Sequence, residues 1–377
     1  MTDESRRGDI VIIGGGLAGL AAAIHLARSG RAVVVHEAGS YPRHRVCGEF
    51  LSPDAEPSLR TLGLGALCDT LGATVVTMMR ATVSANGRTV ADRTRVLPQP
   101  ARGVSRYDLD RALADAARSL GVDVRERSRI ADAEAIHANR VLVTTGRQRA
   151  PIARAAGDNV DPARNEWIGV KAHARGIHLN GRVDLHFVRG AYVGLVEVVS
   201  GGETVVNVCA LLRRTALGVD DAADPFEYLA AAAPTFAAQW RGAQVIDESR
   251  CTTAGFDFAI RGPARGEFLF AGDAAAVVAP FTGDGQAMAL ASGIDAASAI
   301  LSGADAPRAV ERRFAATQRS RLVLARTLQR VLLNPSLAAP LVHVLGASDR
   351  ATRWLWSATR GDVSSTTVPS DLGSGSS

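Results

Sequence analysis

Apolar positions along the 377-residue chain fall into two periods, and each period marks its own kind of element. Ile10 to Ile13 is a short β-branched run that ends abruptly in Gly14-Gly15-Gly16, the pattern of a buried parallel strand entering a tight turn. From Leu17 apolar residues recur at three and four until Ser29-Gly30, which predicts a helix and its stop. Ala32 to Val35 is a second buried strand, closed by Glu37, so residues 9–37 read as one βαβ unit. Val122 to Glu126, Arg140 to Gly146 and Phe268 to Ala271 predict further strands. The glycine-rich loop Pro280 to Gly285 opens a helix of small residues.

Elsewhere the period changes to two. Thr74 to Val83 and Arg88 to Val90 flank Asn86-Gly87, a strong hairpin signal. Ile168–Arg175, Val183–Val188, Tyr192–Val199 and Thr204–Leu212 alternate in the same way, joined by short glycine turns, and predict an antiparallel sheet. Helices are expected from Ser52 to about Leu62, at 103–113 with Ser105 or Asp108 as cap, and over 217–242, 306–333 and 336–358. These elements predict an α/β fold: a Rossmann-type parallel sheet, an inserted antiparallel-sheet substrate domain and C-terminal helices. The nucleotide domain is assigned to 1–73, 98–165 and 251–305, with Leu97 to Pro100 bringing the chain back to it. The substrate domain takes 74–97 and 166–250, the closing helices 306–360, and 361–377 reads as a disordered tail.

Composition narrows the function. A hydrophobic share of 47% with 21% charged residues is that of a globular enzyme. No apolar window reaches the length of a membrane span and residues 1–9 are polar, so the expectation is a cytoplasmic protein without stable membrane insertion. The net charge of +5 comes almost wholly from arginine, because Lys171 is the sole lysine. No basic run is interleaved with aromatics, which argues against nucleic acid. Cys47, Cys68, Cys209 and Cys251 lie far apart, and the histidines show no ligand spacing, so neither a disulfide framework nor a metal site is expected.

Candidate chemistry starts at the first turn. Gly14 suits the turn, Gly16 lets backbone approach a diphosphate, and Gly19 permits close helix-to-strand packing. Free N–H groups at Leu17 and Ala18 would then face the anion. Glu37 is placed to accept from ribose hydroxyls. On these residues alone FAD and NAD are both open. The loop from Ala38 to Pro53 lies at the carboxyl edge of two strands, where ligands bind, with Arg43 and Arg45 as diphosphate partners. Cys47 and Glu49 flank Gly48, a small residue that lets backbone come close to a ring. Arg106 opens a helix toward the same cleft, and Gly146 ends a buried strand at the same edge. On the second sheet His173, His186 and Tyr192 are candidates to deprotonate or orient a phenol. Alternation puts His173 on the face of Lys171 and Arg175, a solvent face unless it is the cleft.

Gly14-x-Gly16-x-x-Gly19 with Glu37, Arg45-Val-Cys-Gly-Glu49, Ser105-Arg106-Tyr-Asp-Leu, and Gly272-Asp273-Ala-Ala with Pro280-Phe-Thr-Gly-Asp-Gly285 together resemble one family. It is the FAD-dependent family of p-hydroxybenzoate hydroxylase-type monooxygenases and geranylgeranyl reductases, and the resemblance covers roughly residues 8–300. It implies FAD as cofactor, with Glu37 on the adenosine ribose and Arg45 and Arg106 along the diphosphate and flavin side. Asp273 would take the ribityl chain, and Gly283, Asp284, Gly285 and Gln286 the flavin carbonyl. It further implies a monooxygenase that oxidises an aromatic or polyketide-like small molecule through a flavin C4a-hydroperoxide. The alternatives are a reductase or dehydrogenase acting on a C–C bond, with Cys47 or Glu49 as proton donor or gate, and a non-redox cyclase. Hydroxylases of this type carry Asp-Gly where this chain has Thr144-Thr145-Gly146-Arg147, which leaves NADPH, NADH and a separate reductase all open as electron source.

Overall fold

The computed structural model describes residues 10–130, 138, 140–147, 166–216, 224–256, 258–303 and 305–360. The first residues, the start of the helix expected at 217–242, the stretch 148–165 and the tail 361–377 lie outside them.

The first half of the chain runs β1 (Ile10–Ile13), α1 (Leu17–Arg28), β2 (Val33–His36), β3 (Phe50–Leu51), α2 (Ala55–Thr61), α3 (Leu67–Thr70), β4 (Thr74–Ala85), β5 (Arg88–Gly103), α4 (Arg106–Ser119), β6 (Asp123–Arg125) and β7 (Arg140–Val143). Then come β8 (Trp167–Arg175), β9 (Arg182–Val188), β10 (Ala191–Ser200), β11 (Glu203–Arg213), α5 (Pro225–Ala232), α6 (Pro234–Trp240), β12 (Gln244–Phe256), β13 (Ala264–Arg265) and β14 (Phe268–Phe270). The helices α7 (Gly285–Leu301), α8 (Ala306–Thr317), α9 (Arg319–Leu332), α10 (Pro335–Ala347) and α11 (Asp349–Thr359) complete it.

One sheet has the order β13-β14-β7-β1-β2-β6 and is parallel except for the short β13–β14 pair. The central β1 is buried along its whole length, as its unbroken apolar run requires. α1 is buried on nearly all sides, from Leu17 through Ile24, because α7 crosses it closely. A Cβ on Gly293 would lie 2.2 Å from the Ala18 carbonyl oxygen. The second sheet, β12-β8-β11-β10-β9-β4-β5-β3, is antiparallel but for the β4–β9 pair. Even-numbered residues of β8, Val170, Ala172 and Ala174, pack with Phe226, Leu229 and Phe236 of α5 and α6. The odd-numbered ones point the other way.

Several elements run differently from the sequence pattern. β5 continues past Leu97 to Gly103, because Pro98 and Pro100 sit where the β4–β5 register shifts and no ladder hydrogen bond is needed from them. β12 continues to Phe256 in the second sheet rather than ending at residue 250. Each long C-terminal helix is two. Gln318 separates α8 from α9, and Ser348 separates α10 from α11, its side chain accepting from Ala351 N–H as an N-cap. Pro234 likewise divides α5 from α6. Ser105, not Asp108, caps α4. No helix among the described residues is long and apolar enough to cross a membrane.

Candidate functional site

A single cleft of about 1610 Å³ runs from the N-terminus of α1, along the loop 43–50, to a chamber between the second sheet and α9 to α11. Pockets for one small ligand span roughly 300–1,000 Å³, so this cleft has room for two molecules end to end.

At the nucleotide end the three glycines do different things. Gly14 has φ +107°, and a Cβ there would stand 2.5 Å from the Thr144 carbonyl oxygen. On Gly19 it would stand 2.0 Å from the Gly14 carbonyl oxygen, whereas on Gly16 it would meet nothing within 4 Å. The backbone at Gly16, Leu17 and Ala18 therefore opens directly on the cleft, at a helix start that no side chain caps. Glu37 sits at the same end and is 4% exposed. Its carboxylate accepts from Gly15 N–H at 2.9 Å, Gly39 N–H at 2.8 Å and Arg43 at 2.5 Å. Burial pushes its pKa up, but Arg45, the Gly39 N–H and Arg43 outweigh that and hold the carboxyl below its ordinary range.

Along the middle, Arg45 and Arg106 share one acid. Arg45 Nε donates to Asp110 at 2.9 Å, and Arg106 Nε and Nη2 donate to it at 2.7 and 2.9 Å. Cys47 lines the cleft beside them, its thiol pushed up by burial, so it stays protonated at neutral pH. Gly146, Gly272, Asp273, Pro280, Gly283, Gly285 and Gln286 line the opposite wall, with Asp273 4.0 Å from Arg147 Nε.

The structure separates the remaining candidates. Asp284 turns away: its carboxylate accepts from Ser52 at 3.0 Å and from Arg321, and it does not line the cleft. Glu49 lines the cleft, yet its carboxylate is fully buried and bonded to His173 Nε2 at 2.7 Å, to Arg106 N–H at 3.0 Å and to Lys171 Nζ at 3.3 Å. His173 is therefore neither on a solvent face nor in the cleft; its face of β8 is covered by the loop that carries Glu49. His186 is buried against Thr82 and Gln239, while Tyr192 lines the cleft on Phe187.

Sequence reasoning missed the far chamber. Met79, Leu97 and Leu185 face Leu332, Leu345 and Trp356 across it, and Arg360 closes one end, its guanidinium 3.4 Å above the Trp356 ring and donating to Thr282 O at 2.7 Å. The apolar faces of the C-terminal helices were the only signal for this.

Residues 7–154 match the FAD binding domain family. The chain carries an FAD-binding domain. A menaquinone reductase of Mycolicibacterium smegmatis is 47% identical over 64 residues, 17% of this chain and 16% of that protein. Squalene epoxidase erg1 of Aspergillus fumigatus is 45% identical over 56 residues, 15% of this chain and 12% of that protein. The chain thus matches well under a fifth of the length of these curated relatives. In fold it is similar to the flavin-dependent brominase Bmp2, with a TM-score of 0.70, 20% identity, and 90% and 93% of the two chains covered. A second likeness is to P. aeruginosa PqsL in complex with 2-aminobenzoylacetate, with a TM-score of 0.67, 16% identity, and 89% and 99% covered. These two likenesses are of fold, over about nine-tenths of the chain.

The walls of the FAD-binding domain fit FAD. Besides the open helix start at Gly16, two buried oxygens on the cleft have no hydrogen-bond partner among the described residues: Thr145 Oγ1 and Gln286 Oε1. Gln286 donates its Nε2 to Phe50 O at 3.1 Å, which holds its free oxygen in place. Thr145 and Gln286 line the same cleft as Gly16, and unpartnered buried polar oxygens call for a ligand or water partner.

Proposed function

We propose that the protein is a cytoplasmic FAD-dependent monooxygenase that oxidises an apolar aromatic or polyketide-like molecule. The observation that carries this reading is the continuity of the cleft: a nucleotide end with a free helix N-terminus leads without a break into a chamber walled by Met79, Leu185, Leu332 and Leu345. Bound FAD supplies the activation of oxygen, and the chain supplies position and dryness. The N–H groups of Gly16, Leu17 and Ala18 would hold the diphosphate, Glu37 the adenosine ribose, Asp273 the ribityl chain, and Gln286 with the start of α7 the flavin ring. Arg45 and Arg106 set the charge along the near wall, and Cys47 and Tyr192 face the substrate. Met79, Leu97, Leu185, Leu332, Leu345 and Trp356 suit an apolar body in the far chamber, while Arg93, Arg95 and Arg360 also line the cleft. Glu49 and His173 support the wall from behind.

Reduction of a C–C double bond is a second reading, favoured by the likeness to menaquinone reductase and by the protonated thiol of Cys47 on the cleft wall. The test is to reconstitute the protein with FAD, supply NADPH, NADH or light-driven reduction, and expose it to air with candidate alkylphenols. Oxygen uptake dependent on substrate, with a product heavier by one oxygen, supports the first reading. A product differing only by two hydrogens, without oxygen uptake, replaces it with the second.

A further inference from the structure

The chain meets 42 of its 43 basic positions with arginine and keeps one lysine. That lysine is not on the surface. Lys171 is 1% exposed on β8, among the largest fully buried side chains of the described residues, and it touches two groups: Glu49 Oε1 at 3.3 Å and His44 Nδ1 at 3.1 Å. A guanidinium presents a rigid planar fork, whereas an ammonium is compact and can aim separate protons at two acceptors in different directions. Lysine is the residue this corner accepts.

His44 lines the cleft between Arg43 and Arg45. Its ring is held on both sides, stacked on Tyr107 at 4.7 Å and edge-on to His173 at 5.1 Å. An ammonium has only protons to give, so Nδ1 must be the acceptor and the ring proton must sit on Nε2. Among the described residues Nε2 has no hydrogen-bond partner.

We propose that Lys171 is a positioning residue that fixes His44 as a neutral imidazole, leaving its Nε2–H to donate to an oxygen of FAD in the cleft. Glu49 neutralises the ammonium and is itself steadied by His173. The groups facing His44 from all sides are Lys171 and His173 on β8, Glu49 on its own loop and Tyr107 on α4. Burial first, then Lys171 and His173, push the His44 pKa down to about 4, against a smaller opposing pull from Glu49. The donor therefore stays uncharged across the working range of pH. This inference uses the assignment of the cleft to FAD but no turnover, so it stands or falls apart from the reaction proposed above.

The experiment is two-bond 1H–15N NMR on protein labelled with 15N-histidine, the His44 signals being identified by their loss in His44→Gln. The expected result is a protonated Nε2 and bare Nδ1 from about pH 5 to 8, with the Nε2 signal moving when FAD is added. In Lys171→Met the tautomers should mix and the titration should move up by about one unit or more. Nδ1–H or a charged ring in the native protein overturns the proposal, as does an unchanged His44 in the variant or an Nε2 signal indifferent to FAD. Should Lys171→Met fail to fold, Lys171→Gln takes its place and the native tautomer alone still decides.

Discussion

Asp110 holds Arg106 through two hydrogen bonds of 2.7 and 2.9 Å while taking Arg45 Nε at 2.9 Å on the same carboxylate. One buried acid thus sets two cations on the cleft wall. Its own side chain is fully buried and that of Arg106 is 12% exposed. Asp110→Asn should cost about 3 kcal/mol in urea unfolding, because removing one partner leaves the other charge buried and uncompensated. FAD retention should fall with it. The exposed pair Arg60–Glu56, 58% and 63% exposed, is the control: Glu56→Ala should change stability by less than about 0.5 kcal/mol.

The glycines of the first turn separate folding from binding. Gly16→Ala adds a methyl where nothing stands within 4 Å, so the FAD-free protein should melt as the native one does. The methyl would occupy the space proposed for the diphosphate, and the Kd for FAD should rise by more than about tenfold, 1.4 kcal/mol. Gly19→Ala drives its methyl to 2.0 Å from a backbone oxygen and should lose fold and FAD together. Thermal melts with and without FAD read both. Equal melting losses in the two variants would refute the distinction.

That contrast shows what is legible in a sequence. The jobs of Gly14, Gly16 and Gly19 are local, set by one turn and the helix behind it, and spacing alone expresses them. Glu49 and His173 are 124 residues apart, and the alternation of β8 says only that His173 and Lys171 share a face, not that the loop from residue 44 to 49 covers it. That the Asp284 side chain turns away from the cleft has a related cause. Asp284 stands in a glycine-rich loop of the right kind, but Arg321 on α9 and Ser52 claim its carboxylate from distant parts of the chain. The far chamber was hidden because amphipathic helices announce that they bury a face without saying against what.

Asp295 on α7 gives a pH signature. Its side chain is 17% exposed, and burial raises its pKa to about 6 despite Arg313 at 2.5 Å. The folded pKa lies above the unfolded one, so the folded state holds the extra proton between about pH 4 and 6 and native stability falls as pH rises through that window. Asp295→Asn removes this dependence. The stability of the variant minus that of the native protein should therefore grow by about 2–3 kcal/mol from pH 4 to pH 7. Urea midpoints at the two pH values measure it, and a flat difference would show that Arg313 keeps Asp295 ionised throughout.

Tyr192 and Leu345 test the two ends of the substrate chamber. Burial raises the Tyr192 phenol well above its ordinary range, so it can donate a proton or pack but cannot serve as a base near neutrality. Tyr192→Phe should leave the pH profile of oxygen uptake unshifted. Leu345 stands on α10 where that helix faces the cleft, and Leu345→Trp should fill part of the chamber without touching the nucleotide end. FAD affinity should then stay native while uptake driven by an alkylphenol falls, most steeply for the longest alkyl chain. If chain length made no difference, the apolar body of the substrate would have to lie elsewhere than between the second sheet and the C-terminal helices.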